Sequence, residues 1–379
     1  MRTELTKKQE EAKKRFKDFV DRHVLPHASR RDLEESTGRE AIDRLAKAGY
    51  LAPTLPKERG GKGMGILTFG LLCEEMGRGS ASMLSLLTVQ DMVAQGILKW
   101  GSSKQRARWL PSMTEGRVLA GFALTEPNVG SDAKSVQATA TLLDESYVLR
   151  GEKKWISWAQ IADLFLVVVQ CAGKPSAFLL ERETEGFSTE PVHGLLGFRS
   201  AMLAHLRLDD CRIPANDILG RVGFGLSHVG GTALDCGRYS VAWGSVGLAQ
   251  ACLEACIHYS AEREQGGSHL REYQLVQKMI ADMFANISAA RMLCYRAGYL
   301  KEAGRPESVM ETCVAKYFAS SAAYQAATDA VQIHGAAGCG GDSPVQRYFR
   351  DAKIMEIIEG TSQMHQLLIA NHAHQVTPS

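Results

Sequence analysis

The chain has 379 residues, 45% hydrophobic and 23% charged, with a formal net charge of +2. That is the balance of a globular protein long enough for two or three domains around separate cores, and it offers no global field for nucleic acid. The charged start has no apolar h-region, so no secretory signal is read, and no window approaches the roughly 20 apolar residues of a membrane span.

To about residue 118 the chain reads helical. Residues 7–24 place Phe16, Phe19 and Val20 on one stripe, and the lysines among them read as a solvated face. Residues 38–49 repeat the helical spacing. Pro53, Pro56 and the run from Gly60 to Gly63 interrupt it, and a further helical stretch covers 94–100. From about 119 the period changes to two. Short runs at 136–141, 147–150, 164–169, 177–180 and 203–208, with turn residues between them, predict a small β domain. After about 226 the helical pattern returns at 232–264, 273–302, 307–333 and 344–374, which predicts a bundle of four. The expected fold class is α+β, mainly α: a helical N-terminal domain (1–118), a middle β domain (119–225) and a C-terminal helical bundle (226–379). The nine cysteines are odd in number and scattered, which suits a reducing cytoplasm. Cys252 and Cys256 lack a second pair at metal spacing and read as buried apolar side chains; no metal is expected.

Four segments stand out. Residues 121–132 place Phe122, Leu124, Thr125, Pro127, Gly130 and Ser131 in a tight loop after a strand. Such a loop offers N–H groups and hydroxyls to a polar ligand edge or a phosphate, and alone it is equally a turn. Trp155, Ile156 and Ser157 set an indole beside a hydroxyl, although a pair of tryptophans, here with Trp158, is usually core. Residues 332–338, with Gln332, Gly335 and Ala336, end a helix in small residues that permit close backbone approach. The fourth runs from Arg347 to Gln363. In it Glu359 has an apolar approach (Ile354, Met355, Ile357, Ile358) and a Gly360-Thr361-Ser362 exit. Desolvation disfavours the charged carboxylate there and makes it a stronger base, and a helix cap is the competing reading.

Taken together these segments resemble the acyl-CoA dehydrogenase family over essentially the whole chain. The resemblance rests on Leu124-Thr125-Glu126-Pro127 with Gly130-Ser131-Asp132, on Trp155-Ile156-Ser157, and on Arg263-Glu264-Gln265. It rests further on Gln332 with Gly335, on Arg350-Asp351-Ala352-Lys353, and on Glu359-Gly360-Thr361. It implies FAD as cofactor, held by Phe122, Leu124, Thr125, Gly130, Ser131, Trp155, Ile156 and Ser157, with Ser157 donating to the flavin N5. Arg263, Gln274, Gln332, Gly335 and Ala336 would clamp the pyrophosphate and adenine of a neighbouring subunit's FAD, and Thr361 and Gln363 would complete the site. Ser131, Asp235, Arg238 and Gly360 would line the thioester channel.

By the same resemblance Glu359 is the catalytic base, taking the α-proton of an acyl thioester while hydride leaves the β-carbon. The family's alternative position for the base falls on Gly237, and Asp235 is turned about 200° away on a helix. The stretch 235–244, with 353–360, is most similar to acyl-carrier-protein dehydrogenases of polyketide extender-unit biosynthesis. That similarity implies a three-carbon acyl group on an acyl carrier protein, an electron acceptor such as an electron-transfer flavoprotein, and a homo-oligomer, dimer or tetramer. Neither nucleic acid nor membrane is expected as a partner. A short-chain acyl-CoA dehydrogenase of catabolism, a thioester oxidase and a non-catalytic binding relative are the alternatives. Three positions depart from the family pattern: Gly266 replaces an aromatic, Trp158 an Asn and His334 an apolar residue. The histidine, at a helix end, reads as structural.

Overall fold

The computed structural model describes residues 4–376. Six helices come first: α1 (Lys7–His23), α2 (Leu25–Glu34), α3 (Arg39–Ala48), α4 (Ile66–Gly79), α5 (Ala81–Trp100) and α6 (Ser103–Thr114). Local chemistry starts and stops them. Thr6 with Gln9 and Ser102 with Gln105 form capping boxes, and Gly49 ends α3 at φ +73.

The β segment follows as β1 (Ala120–Ala123), β2 (Thr139–Leu143), β3 (Ser146–Ile156), β4 (Leu164–Cys171), β5 (Lys174–Glu181), β6 (Phe187–Pro191), β7 (Ala204–Pro214) and β8 (Ile218–Leu219). They form one sheet in the order β6-β7-β3-β2-β4-β5-β8, with β1 added parallel to β4. A π-helical turn, Gly225–Gly230, leads into α7 (Gly231–Glu262). A small hairpin, β9 (Glu264–Gln265) and β10 (Ser268–His269), joins it to α8 (Gln274–Glu302). Then come α9 (Ser308–His334), the single turn α10 (Ala336–Cys339), α11 (Val345–Ile357) and α12 (Ser362–Val376).

Three features differ from the sequence reading. First, the stretch 344–374 is not one helix: it breaks at residues 358–361, where Glu359 has φ +56 and Gly360 φ +100. Second, the N-terminal helices do not keep a core of their own. One cluster runs from Phe16 and Val20 through Leu71 and Met76 to Trp243 and Val246 of α7 and Ala319 and Ala323 of α9. Third, two apolar stretches, α5 and residues 225–262, are long enough to cross a membrane by length and composition. They are instead the central helices, 89% and 78% of those windows being buried. A helix apolar all round belongs in a protein core when other helices surround it.

Candidate active site

The β half of the site is locked by a buried ion pair. Lys153 is fully buried on β3, and its Nζ donates to Glu126 Oε1 at 2.7 Å and to the Leu124 carbonyl at 3.1 Å. Glu126 also accepts from the N–H groups of Gln137 (2.6 Å) and Ala138 (3.0 Å), and the Lys154 N–H donates to the Thr125 carbonyl at 2.9 Å. Burial pulls Lys153 down to about 8, with Glu126 opposing. This pair ties the loop carrying Thr125, Gly130 and Ser131 to the strand carrying Trp155 and Ser157.

The end of that strand is distorted. Its pairing with β7 shifts register between Lys153 and Ile156, and Trp155 (φ +64) and Trp158 (φ +63) both occupy the left-handed region. Bulky residues reach that region only where surrounding structure compels them. The result separates three side chains. Ile156 turns into the sheet core and offers a ligand only its backbone, Trp155 stands 47% exposed, and Trp158 is buried with its Nε1 donating to Ser85 Oγ at 2.9 Å. Phe122 is half-buried and Leu124 is packed, while Gly130 and Ser131 are exposed at the loop tip.

The helical half centres on Glu359. Its backbone carbonyl accepts from Arg238 Nε at 3.1 Å, and Lys316 Nζ donates to the next carbonyl, that of Gly360, at 2.8 Å. Glu359 Oε2 is buried without a hydrogen-bond partner. Burial raises its pKa to about 7, against the pull of Arg238 and Lys316. The capping role falls to Thr361, whose Oγ1 accepts from the Met364 N–H at 3.3 Å, so Glu359 does not cap α12. A Cβ on Gly237 would lie 2.4 Å from Glu359 Oε2 and 2.8 Å from Met92 Sδ; glycine there leaves the carboxylate its place. Asp235 is held by Lys301 at 2.5 Å through Oδ2, and its Oδ1 is buried without a partner.

Helix α5 joins the halves. Its Met92 abuts Gly237, while its Val93 and Ala94 share a cluster with Leu124, against which Phe122 and Leu234 also pack. The residues present fit the isoalloxazine part of FAD: an exposed indole, hydroxyls at 125, 131 and 157, and an orphaned carboxylate oxygen beyond them.

The other expected cofactor residues lie elsewhere. Arg263 caps the end of α7, Gln274 starts α8, Gln332 is in the last turn of α9, Gly335 caps it and Ala336 starts α10, all exposed and at the opposite end of the bundle. Gln363 is exposed on α12. At that far end His334 is buried, its ring stacked on Tyr259 at 4.2 Å and its Nδ1 2.7 Å from the Ala330 carbonyl. Gly266 has φ +58, and a Cβ there would lie 2.8 Å from Tyr273 Oη. Cys252 and Cys256 are buried in the helical core.

Sequence reasoning passed over Lys301, Lys316 and the role of Lys153 as a lock. Their one signal is a charged residue at a core-facing position among small apolar residues, as for Lys316 beside Ala315 and Ala319.

The fold and this site define a flavin-dependent dehydrogenase of acyl thioesters. Three family models match in order: the acyl-CoA dehydrogenase N-terminal domain over 6–117, its middle domain over 121–211 and its C-terminal domain over 224–374. The chain belongs to the acyl-CoA dehydrogenase family, and is an FAD-dependent oxidoreductase of the α+β, mainly α, class. It is 36% identical to the mitochondrial short-chain specific acyl-CoA dehydrogenase of Rattus norvegicus, over 94% of this chain and 87% of that one. The solved butyryl-CoA dehydrogenase of Megasphaera elsdenii matches with a TM-score of 0.94 and 32% identity, over 99% of this chain and 100% of that one. A structure described as FkbI, for biosynthesis of the methoxymalonyl extender unit of the polyketide Fk520, matches with a TM-score of 0.88 and 32% identity, covering 96% and 99%.

Proposed function

We propose that the chain dehydrogenates a small polar acyl group, held as a thioester on an acyl carrier protein, in the making of a polyketide extender unit. The observation that carries this reading is the charged wall beside Glu359. The Arg238 guanidinium bonds the Glu359 carbonyl, and one turn earlier on α7 Asp235, paired with Lys301 of α8, keeps an unpartnered oxygen. A purely alkyl chain would leave the free Asp235 oxygen desolvated and unpaired, whereas a hydroxylated or aminated three-carbon unit pairs with it. Similarity to FkbI at 32% identity supports the same reading.

FAD, when bound, accepts the hydride. The chain's own residues supply the rest. Glu359 takes the proton from the α-carbon, the hydride leaves the β-carbon, and a carbon–carbon double bond forms between them. The Trp155–Ser157 strand end and the Thr125–Ser131 loop would hold the ring system, and Ser131, Arg238 and Gly360 would flank the thioester. Burial excludes water from the carboxylate and so strengthens it as a base. We place the chain in the cytoplasm, in keeping with its nine free cysteines, with an electron-transfer flavoprotein as reoxidant.

A second reading is a short-chain acyl-CoA dehydrogenase, favoured by the 36% identity to the rat enzyme. The separating experiment incubates enzyme and an artificial electron acceptor with hydroxyacyl or aminoacyl three-carbon thioesters, and with butyryl thioesters, each on carrier protein and on CoA. Mass spectrometry should show loss of two hydrogens from the polar carrier-bound substrates. Equal turnover of butyryl-CoA would replace the proposal with the second reading.

A further inference from the structure

Behind Glu359 lies a charge that proton transfer does not consume. Lys316, on α9, is fully buried, and a buried ammonium persists only where it is hydrogen-bonded. Its partners are two carbonyls: Gly360 at 2.8 Å and Glu356 at 3.4 Å. One is an otherwise orphaned carbonyl near the end of α11, the other belongs to the residue after the base. With Arg238 on the carbonyl of Glu359 itself, two cations from two neighbouring helices hold three carbonyls of the turn. The carboxylate oxygen Oε2 stays unpartnered, and the backbone stays left-handed at a non-glycine residue.

We propose that Lys316 is a positioning residue for the base: its ammonium holds the left-handed turn that aims the Glu359 carboxylate, and its charge favours the carboxylate's ionised form.

The surroundings of Glu359 carry this electrostatic role. The charges that act on it are Arg238 from α7 and Lys316 from α9; Cys236 of α7 and His365 of α12 lie within its reach, and Cys313 of α9 touches Arg238. Burial raises both thiols, so they stay neutral. Burial, reinforced by Lys316 and Arg238, drives His365 down to about 3, so it is neutral too. Lys316 is drawn down to about 8 by burial, with Glu359 opposing, so between about pH 7 and 8 both members of the pair are charged.

The inference rests on Glu359 as the base, and the test separates the two. Holoenzyme variants Lys316→Met and Lys316→Gln are mixed anaerobically with a thioester substrate, and flavin bleaching is followed across pH. Both should keep their FAD and bind a non-reactive thioester analogue within about 3-fold of wild type. Lys316→Met, lacking donor and charge, should bleach at least about 10-fold more slowly with a raised pH midpoint. Lys316→Gln keeps a donor for the Gly360 carbonyl and should recover part of the rate, yet keep the raised midpoint. Lys316→Arg should return the midpoint toward wild type, and with Lys316→Gln it carries the test if the Met variant fails to fold. A wild-type midpoint in the Gln and Met variants would overturn the inference. Bleaching by Glu359→Gln would instead overturn the base assignment on which it rests.

Discussion

Glu359 sits in backbone that a glutamate adopts only under compulsion, in a gap between two helices, with one carboxylate oxygen unpaired. Such a residue is held for chemistry rather than for stability. Glu359→Gln keeps the shape and removes the base, so the variant should bind FAD and bleach at least about 100-fold more slowly. With its pKa raised to about 7 by burial, the free enzyme's bleaching rate should rise as pH increases through about 7 and then level off. Stability should move the opposite way. The folded state holds this proton between about pH 4.5 and 7, where an unfolded chain has released it, so ionised Glu359 is destabilising above pH 7. Denaturant unfolding should therefore find Glu359→Gln more stable than wild type at pH 8, by on the order of 2 kcal/mol, with the difference gone near pH 4.5. Gly237→Ala probes the same atom from the other side. Its methyl would displace Oε2, and a displacement of about 1 Å costs about 100-fold in rate. FAD content should not change, and a wild-type rate would mean that the carboxylate does not work from this position.

At the scale of elements, β3 and its loop show what periodicity conveys and what it omits. The alternation at 136–141 and 147–150 places the β segment correctly, but β3 runs on to Ile156 through a register shift that no period announces. Lys153 falls in a stretch whose tryptophans drew attention, yet the lysine makes the tertiary link, with a partner 27 residues away. Lys153→Met leaves Glu126 a buried unpaired carboxylate and should destabilise the fold by about 3–5 kcal/mol. Because the pair also ties the loop to the strand, the FAD absorbance should fall with it. Retention of colour and stability would mean that the loop holds its shape unaided. The helices were legible by repeat for the same reason that the break at 358–361 was not. Apolar spacing continues through Ile354, Ile357 and Ile358 into Met364 and Leu368, and only tertiary hydrogen bonds from Arg238 and Lys316 fix the left-handed turn. The candidate site was legible where motifs coincide with loops, and illegible where a lone cation reaches in from another helix.

At the scale of the molecule, the expected cofactor residues fall into two sets that one chain keeps apart. Arg238 and Arg263 lie on one helix 25 residues apart, which is about 37 Å at the α-helical rise. The helices around them leave large apolar side chains exposed: Leu275 (77%) and Phe284 (65%) on α8, and Leu367 (60%) on α12. Both facts follow if two copies pack through their helical bundles, so that Arg263 and Gln332 of one serve the flavin beside Glu359 of the other. The arrangement can be tested by complementation. Arg263→Ala should lose FAD although it leaves the ground around Glu359 untouched, and Glu359→Gln should stay yellow and inactive. When the two variants are unfolded together, refolded and supplied with FAD, half of the dimers are mixed. In each mixed dimer one of two sites joins an intact Glu359 to an intact Arg263. Activity should recover to about a quarter of wild type, set by that symmetry. If each chain built its site alone, the mixture would show only the sum of its parents, and the shared-cofactor reading would fall.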